Sequence, residues 1–308
     1  MFLKNESNIV DYNVFESDSA FHVSTLNFLK MKTFLDLIDK HKLPIDSVNK
    51  FDISIVEYDF KTKQESVFGF SIKSLIGKDS TLFNAGAGTN FIYEIDLPNN
   101  TFFDVTEFNK STYSNQSSKG ESKIGNRIKG IESLGGSLKF HSIQSNILAL
   151  NLSLIDGALP IILAEMLKYR FKTGINKISY LIDYLNKNNP LKFNLDLGHP
   201  FYKYKIKNFL TDCALGMTPE KVWIGEYDAT GGIIYAKDNG DVVCYHIYNK
   251  KEFEEYLLNH TRLEQASTSE DENNPGKADP KSKPFKYGWI YGESDKFFIK
   301  LNLQIRFT

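Results

Sequence analysis

Two short runs of the chain, Phe51-Asp-Ile-Ser-Ile-Val-Glu-Tyr and Ser66-Val-Phe-Gly-Phe-Ser-Ile-Lys, flank the polar stretch Asp59-Phe-Lys-Thr-Lys-Gln. Both are rich in β-branched and aromatic residues, and the segment between them carries turn chemistry, so the pattern predicts a β-hairpin with a longish loop. Because side chains alternate faces along a strand, Ser71 and Lys73 fall on one side of the second run, and Asp52 can meet them across the pairing. Lys73 closes a strongly apolar strand, a place where a lysine is unfavourable unless it has a task or a partner. Any fold for this chain must accommodate that hairpin.

The surrounding pattern is mixed. Apolar residues at Leu26, Leu29, Phe34, Leu35, Leu37 and Ile38 suit an amphipathic helix before the hairpin. A small-residue loop from Thr81 to Thr89 leads into a third strand, Asn90-Phe-Ile-Tyr-Glu-Ile. Residues 100–129 turn to Ser, Asn, Lys and Gly and are expected as a flexible surface stretch. Helices are predicted over 157–171, 175–186, 204–214 and 251–258. Between the last two, Asp238-Asn-Gly-Asp marks the turn of a second hairpin, since Asn-Gly supplies positive φ angles. Residues 264–284 carry no apolar run and are expected as a mobile loop. The chain then ends in two strands, over 288–291 and 297–307. In the second, Phe298, Lys300, Asn302, Gln304 and Arg306 alternate with Ile299, Leu301, Leu303 and Ile305, which predicts one wet face.

Composition excludes several classes. At 308 residues, 41% hydrophobic and 24% charged, the chain is a folding, globular sequence. No run reaches the roughly 20 apolar residues of a membrane span; the longest candidate, around 147–167, is broken by Asn151, Asp156 and Pro160. The N-terminus lacks an export signal, so a cytoplasmic protein is expected. Cys213 and Cys244 have no zinc-ligand spacing and are expected to be buried thiols. A net charge of −1 argues against a general nucleic-acid coat while allowing a local basic cleft. Lys119–Lys129, Lys203 to Lys207 and Lys277–Lys286 are the basic stretches.

The hairpin carries the sharpest chemical pattern. Hydrolysis of a phosphodiester with a divalent metal needs carboxylates for Mg2+ and a base or charge stabiliser beside the attacking water. Asp52, followed after 18 residues by Ser71-Ile72-Lys73, fits the PD-(D/E)xK layout with the proline and the second acid both replaced. The same spacing also suits a surface Asp and a strand-edge Lys that guards against aggregation. With serine in the acid's place, another carboxylate has to complete the metal site. Glu94, on the next predicted strand, is the candidate, with Asp96 after it. Asn84, Gly86, Gly88 and Asn90 lie in a loop able to bring peptide N–H groups to a phosphate, and equally in an ordinary turn. His199 and His246 accompany no nucleophile motif, which argues against a triad hydrolase.

Six blocks of sequence extend the pattern beyond the hairpin: Gly69-Phe-Ser-Ile-Lys-Ser, Thr81-Leu-Phe-Asn, Thr89-Asn-Phe-Ile-Tyr-Glu-Ile, Ala214-Leu-Gly-Met-Thr-Pro, Thr230-Gly-Gly and Lys300-Leu-Asn-Leu-Gln-Ile-Arg-Phe. In this order, from about Asp52 to Arg306, they resemble the HpaII family of type II restriction endonucleases. The expected fold is α/β: a PD-(D/E)xK nuclease core with a mixed β-sheet flanked by helices, over 1–150, and a C-terminal α+β part, over 151–308, forming the DNA cleft, as two parts or as one continuous domain. It implies Mg2+-dependent cleavage of both strands of duplex DNA at CCGG, and a cytosine methyltransferase as the partner of the system. Homodimers are compatible with it.

Carried over to this chain, Asp52 is a metal ligand, Ser71 holds the third motif position and Lys73 is the lysine beside the water; Glu94 joins Asp52 as catalytic acid and metal ligand. Arg and Lys are the economical readers of guanine, so Asn84, Asn90, Lys123, Arg127, Lys203, Lys205 and Arg262 are the expected DNA contacts, Arg306 is a further candidate, and Arg170 is expected to be structural. Only about fifty residues precede Asp52, fewer than the family pattern, and residues 264–284 look like an insertion. A structure-selective repair nuclease and an inactive DNA-binding remnant are the alternative readings.

Overall fold

A computed structural model describes residues 12–14, 52–59, 63–74, 80–99, 101–114, 123–236, 242–246, 250–265 and 287–308. The helix expected over 23–42, the loop expected over 264–284 and the Asn-Gly turn lie outside the described residues, except for the first two positions of that loop.

The expected hairpin is formed by β2 (Ile53–Asp59) and β3 (Gln64–Ser74), antiparallel, with Ile53 opposite Phe70 and Ser54 opposite Gly69. β1 (Tyr12–Val14) extends it on one side. On the other side β3 runs parallel to β7 (Gly232–Ala236), which in turn pairs antiparallel with β8 (Val242–His246). The order β1-β2-β3-β7-β8 is a mixed sheet, and its central parallel pair joins segments some 160 residues apart. This sheet belongs to a compact unit made of Met1–Ser80, Leu210–Met217 and Trp223–Tyr256.

The second unit comprises Thr81–Phe209, Thr218–Val222 and Leu257–Thr308. Its larger sheet has the order β10-β11-β5-β6, formed by Ile290–Glu293, Lys296–Asn302, Asn90–Asp96 and Ser137–Ile143. A smaller sheet sets β12 (Ile305–Phe307) between β4 (Thr81–Phe83) and β9 (Thr261–Leu263). Helices α1 (Val105–Ser114), α2 (Lys123–Ser133), α3 (Asn146–Ile155), α4 (Leu159–Thr173) and α5 (Ile178–Asn188) complete it. Helix α6 (Phe201–Leu215) runs on into the residues of the first unit, and α7 spans Lys250–Asn259.

Local chemistry explains the helix ends. The Ser145 side chain accepts from the Leu148 N–H at the start of α3, relieving one of the backbone donors a helix leaves unpaired there. Pro160 sits in the first turn of α4, where no N–H is needed, and Gly174 ends that helix in the left-handed region at φ 81°. Leu148, Leu152, Leu159, Ile162, Leu163 and Met166 from α3 and α4 are buried, as are Phe91, Tyr93 and Ile95 from β5. The helices α3 and α4 bend by 110° at their junction, and no single helix among the described residues is long and apolar enough to cross a membrane.

Three expectations change. Residues 105–114 and 123–133 are helical rather than a flexible stretch. Ile124, Ile128 and Ile131, all buried, carry the helical period that the polar composition obscures. The third expected strand, β5, exists but belongs to another sheet, between β11 and β6. The last strand has no uniformly wet face: Phe298, Asn302 and Gln304 are buried. It divides at Leu303 and Gln304 into β11 and β12, which serve different sheets.

Candidate active site

Asp52 stands just before β2 and is tied to the hairpin by its backbone, whose N–H donates to the Phe70 carbonyl at 2.8 Å. Its carboxylate is clasped. Oδ2 accepts from the Ile72 backbone N–H at 2.5 Å and from the Ser71 hydroxyl at 3.2 Å. Ser71 is fully buried, whereas Asp52 and Lys73 are half-buried. Lys73 lies two residues beyond Ser71 on β3, so strand alternation places it on the face that carries the clasp. The serine in the motif's acidic position therefore orients Asp52 instead of supplying a second carboxylate.

β3 is held from its other edge by the Thr230-Gly-Gly block. The Gly69 N–H donates to Thr230 Oγ1 at 3.1 Å, and the Gly231 N–H donates to the Gly69 carbonyl at 2.7 Å. A Cβ at Gly231 would lie 2.4 Å from the Phe70 ring, so glycine is what allows the two backbones to approach. Two blocks that are far apart in sequence thus meet at the strand that carries Ser71 and Lys73.

The other expected site residues are placed as follows. Glu94 lies on β5 in the second unit, and its carboxylate is engaged by Lys296 Nζ at 2.9 Å. It is half of a cross-strand ion pair, not a neighbour on the Asp52 sheet. Asn90 is fully buried; its amide donates to Gln144 Oε1 at 3.1 Å and its own oxygen accepts from Asn302 at 2.7 Å. That network secures the turn at Gly86–Thr89, since Asn302 also donates to the Gly86 carbonyl and to Thr89 Oγ1. Asn90 is thereby removed from the DNA-contact set, while Asn84, on the same loop, is exposed.

Arg127 is also a correction. It is 2% exposed, lies 3.9 Å over the Trp289 ring, and donates to Thr112 Oγ1 and the Gly288 carbonyl. A guanidinium so enclosed fixes α2 rather than meeting DNA. Arg262 is half-buried and paired with Glu264 at 3.0 Å. Lys205 is paired with Asp156. Arg170 is buried and donates to the Leu263 carbonyl at 3.3 Å, and burial lowers its pKa. Lys123, Lys203 and Arg306 are half-buried. Cys213 is buried.

One acid had no signal in the sequence. Asp212 on α6 is buried, and its Oδ1 accepts from the Tyr227 hydroxyl at 2.8 Å. Burial pushes its pKa up to about 6, with the Tyr227 hydrogen bond and the charge of Lys250 opposing the rise. The phenol of Tyr227 is raised in turn, by burial first and then by Asp212. Because the native state holds this proton more tightly than the unfolded chain, the contribution of Asp212 favours folding below about pH 4 and is lost as pH rises through about 6. Asp212→Asn is therefore expected to gain stability over the parent as pH rises from 4 to 8, by up to about 3 kcal/mol. Urea denaturation at the two pH values measures it; an equal difference at both would refute the assignment.

For a metal, the relevant donor set is a single carboxylate, Asp52, held in a fixed orientation. Among the described residues no three His, Cys, Asp or Glu side chains are grouped around one point. Mg2+ keeps several waters and is commonly held by one or two carboxylates together with substrate phosphate oxygens. The hard oxygen ligand at Asp52 fits that ion as one such ligand.

Comparison with protein families matches residues 5–307 to the HpaII restriction endonuclease family. Among curated proteins, the type II restriction enzyme HpaII of Haemophilus parainfluenzae is 39% identical over 274 residues, covering 89% of this chain and 69% of that enzyme. No solved structure matches the chain.

Proposed function

Since this chain belongs to the HpaII restriction endonuclease family, and is thus a type II site-specific deoxyribonuclease, we propose that it cuts both strands of duplex DNA at CCGG with Mg2+, using the β2–β3 hairpin of a PD-(D/E)xK core. The observation that carries the assignment of the site is the clasp on Asp52. A carboxylate fixed by a buried hydroxyl and a backbone N–H, with a lysine on the same strand face, matches what metal-assisted phosphodiester hydrolysis asks of its protein groups.

In this reading Asp52 is the metal ligand. Ser71 and the Ile72 N–H keep its carboxylate from rotating, so that the ligand is oriented before substrate arrives. Held by Asp52, a bound Mg2+ would supply a water of lowered pKa and offset charge on the phosphoryl oxygens. Lys73 stands on the water side, where its ammonium opposes the negative charge that builds on phosphorus. The second acid is not assigned to Glu94, whose carboxylate is committed to Lys296. Asn84, Lys123 and Lys203 are the DNA contacts that we retain from the expected set. A cytosine methyltransferase protecting the same tetranucleotide, a cytoplasmic location and a homodimer that addresses both strands complete the proposal.

Digestion of plasmid DNA with and without Mg2+ tests it. The expected result is a set of discrete fragments ending at CCGG, formed only with the metal. Cutting confined to branched DNA, or a mobility shift without cutting by folded protein, would overturn it.

A further inference from the structure

Beyond the clasp itself, the first unit contains a second hydrogen-bonded element whose far end rests on the same strand. Asp212 is buried, and the hydroxyl of the partly solvent-exposed Tyr227 reaches it. Around it the backbone from Trp223 to Ala229 is fixed at several points. Trp223 Nε1 donates to the Glu226 carbonyl at 2.8 Å, and the Trp223 ring stacks on Tyr227. Gly216 fits beneath this segment so closely that a Cβ there would lie 2.6 Å from the Glu226 carbonyl and 3.4 Å from Tyr227 Cα. The Ala229 N–H then donates to the Leu215 carbonyl at 2.9 Å.

The chain leaves this anchored segment directly into Thr230-Gly231-Gly232. Thr230 accepts from Gly69, Gly231 donates to Gly69, and Gly232 stands opposite Phe70 at the start of the parallel β3–β7 pairing. The Phe70 carbonyl is the acceptor for the Asp52 N–H. Only two residues separate Tyr227 from Thr230, and backbone steps and hydrogen bonds within this unit connect Asp212 to Asp52. A short segment pinned at both ends is the kind of contiguous hydrogen-bonded network that can carry coupling.

We propose that the Asp212–Tyr227 hydrogen bond is a positioning strap for the hairpin: it fixes residues 223–229 so that Thr230–Gly232 sits against Gly69–Phe70 and keeps the Asp52–Ser71–Ile72 clasp in register. Asp212 and Tyr227 are positioning residues, acting through β3 rather than on DNA. The inference rests on the reading that Asp52 and Lys73 perform the cleavage.

Tyr227→Phe tests it, since it deletes one hydroxyl and leaves the ring. The expected result is a fall in kcat of about tenfold, with KM and DNA affinity within about twofold of the parent, together with faster amide hydrogen exchange at Gly69, Ile72 and Gly231. A variant that merely loosened the fold would lose DNA affinity and kcat together. Thr230→Val removes the acceptor at the other end of the strap and is expected to reproduce both effects, which keeps the test open if Tyr227→Phe fails to fold. Unchanged exchange at the three amides, or faster exchange with unchanged kcat, overturns the strap. Because exchange does not depend on cleavage, it is separable from failure of the active-site reading, which is diagnosed by retained cutting in Lys73→Ala.

Discussion

Replacing Lys73 with alanine is expected to lower the rate of DNA cleavage by about 10³-fold, equivalent to about 4 kcal/mol of lost transition-state stabilisation. Lys73 is half-buried at the end of an apolar strand, and its strand position places it on the face of the Asp52 clasp. Truncation removes the ammonium that opposes charge on phosphorus but leaves the hydrogen bonds of Ser71 and Ile72 to Asp52 in place. The fold and DNA affinity should therefore persist while chemistry fails. Single-turnover cleavage of a CCGG duplex, measured beside a mobility shift, separates the two quantities. Cleavage within tenfold of the parent would show that Lys73 is a strand-end lysine and no more. β3 pairs with β2 up to Phe70 and with β7 from Phe70 onward, where Lys73 stands opposite Tyr235.

The second large effect is on stability. Arg127→Ala is expected to destabilise the protein by about 3 kcal/mol, because it strands the buried Gly288 carbonyl, removes a donor from the Thr112 hydroxyl and empties the space over an indole. The guanidinium donates to Gly288 and Thr112 while stacking on Trp289, so it joins α1, α2 and the approach to β10. Lysine is a poor substitute there, having neither the planar stack nor the forked donors. Urea denaturation reports the loss directly. If Arg127 were instead a DNA contact, the alanine variant would keep its denaturation midpoint and lose affinity, and that result would return it to the recognition set.

These two residues also show where the sequence was readable. The hairpin followed from its apolar alternation and turn composition, and Asp52 and Lys73 could be singled out because a polar group at a strand end stands out against its neighbours. The Thr230-Gly-Gly block was visible as a block, but its contact with Gly69 and Phe70 depends on a parallel pairing across some 160 residues that no local pattern encodes. Arg127 was misplaced because the residues around it are polar and small; the isoleucines at 124, 128 and 131 held the helical signal. Glu94 was expected beside the hairpin on the assumption that consecutive strands are neighbours. Here β3 and β5 belong to different sheets. Asn302 and Gln304 looked like a wet face because alternation alone does not distinguish solvent from a buried amide network. Asp212 had no signature, being one acid on a helix until the tertiary fold brings Tyr227 to it.

The pairing of β3 with β7 has a consequence for how the enzyme is made. While the chain is being synthesised, Asp52, Ser71 and Lys73 emerge early, yet the strand that flanks them is encoded some 160 residues later. At the usual 5–20 residues per second, β3 waits roughly 10–30 s for that partner. During that interval the hairpin has one edge without its final neighbour, so the segment that bears the Asp52 clasp is open to wrong pairing and is not yet held in register. A nascent or truncated chain that ends before Gly232 would contain every residue of the clasp but lack the strand that aligns them. Translation must therefore run past Ala236, far beyond the clasp residues, before that alignment can be complete.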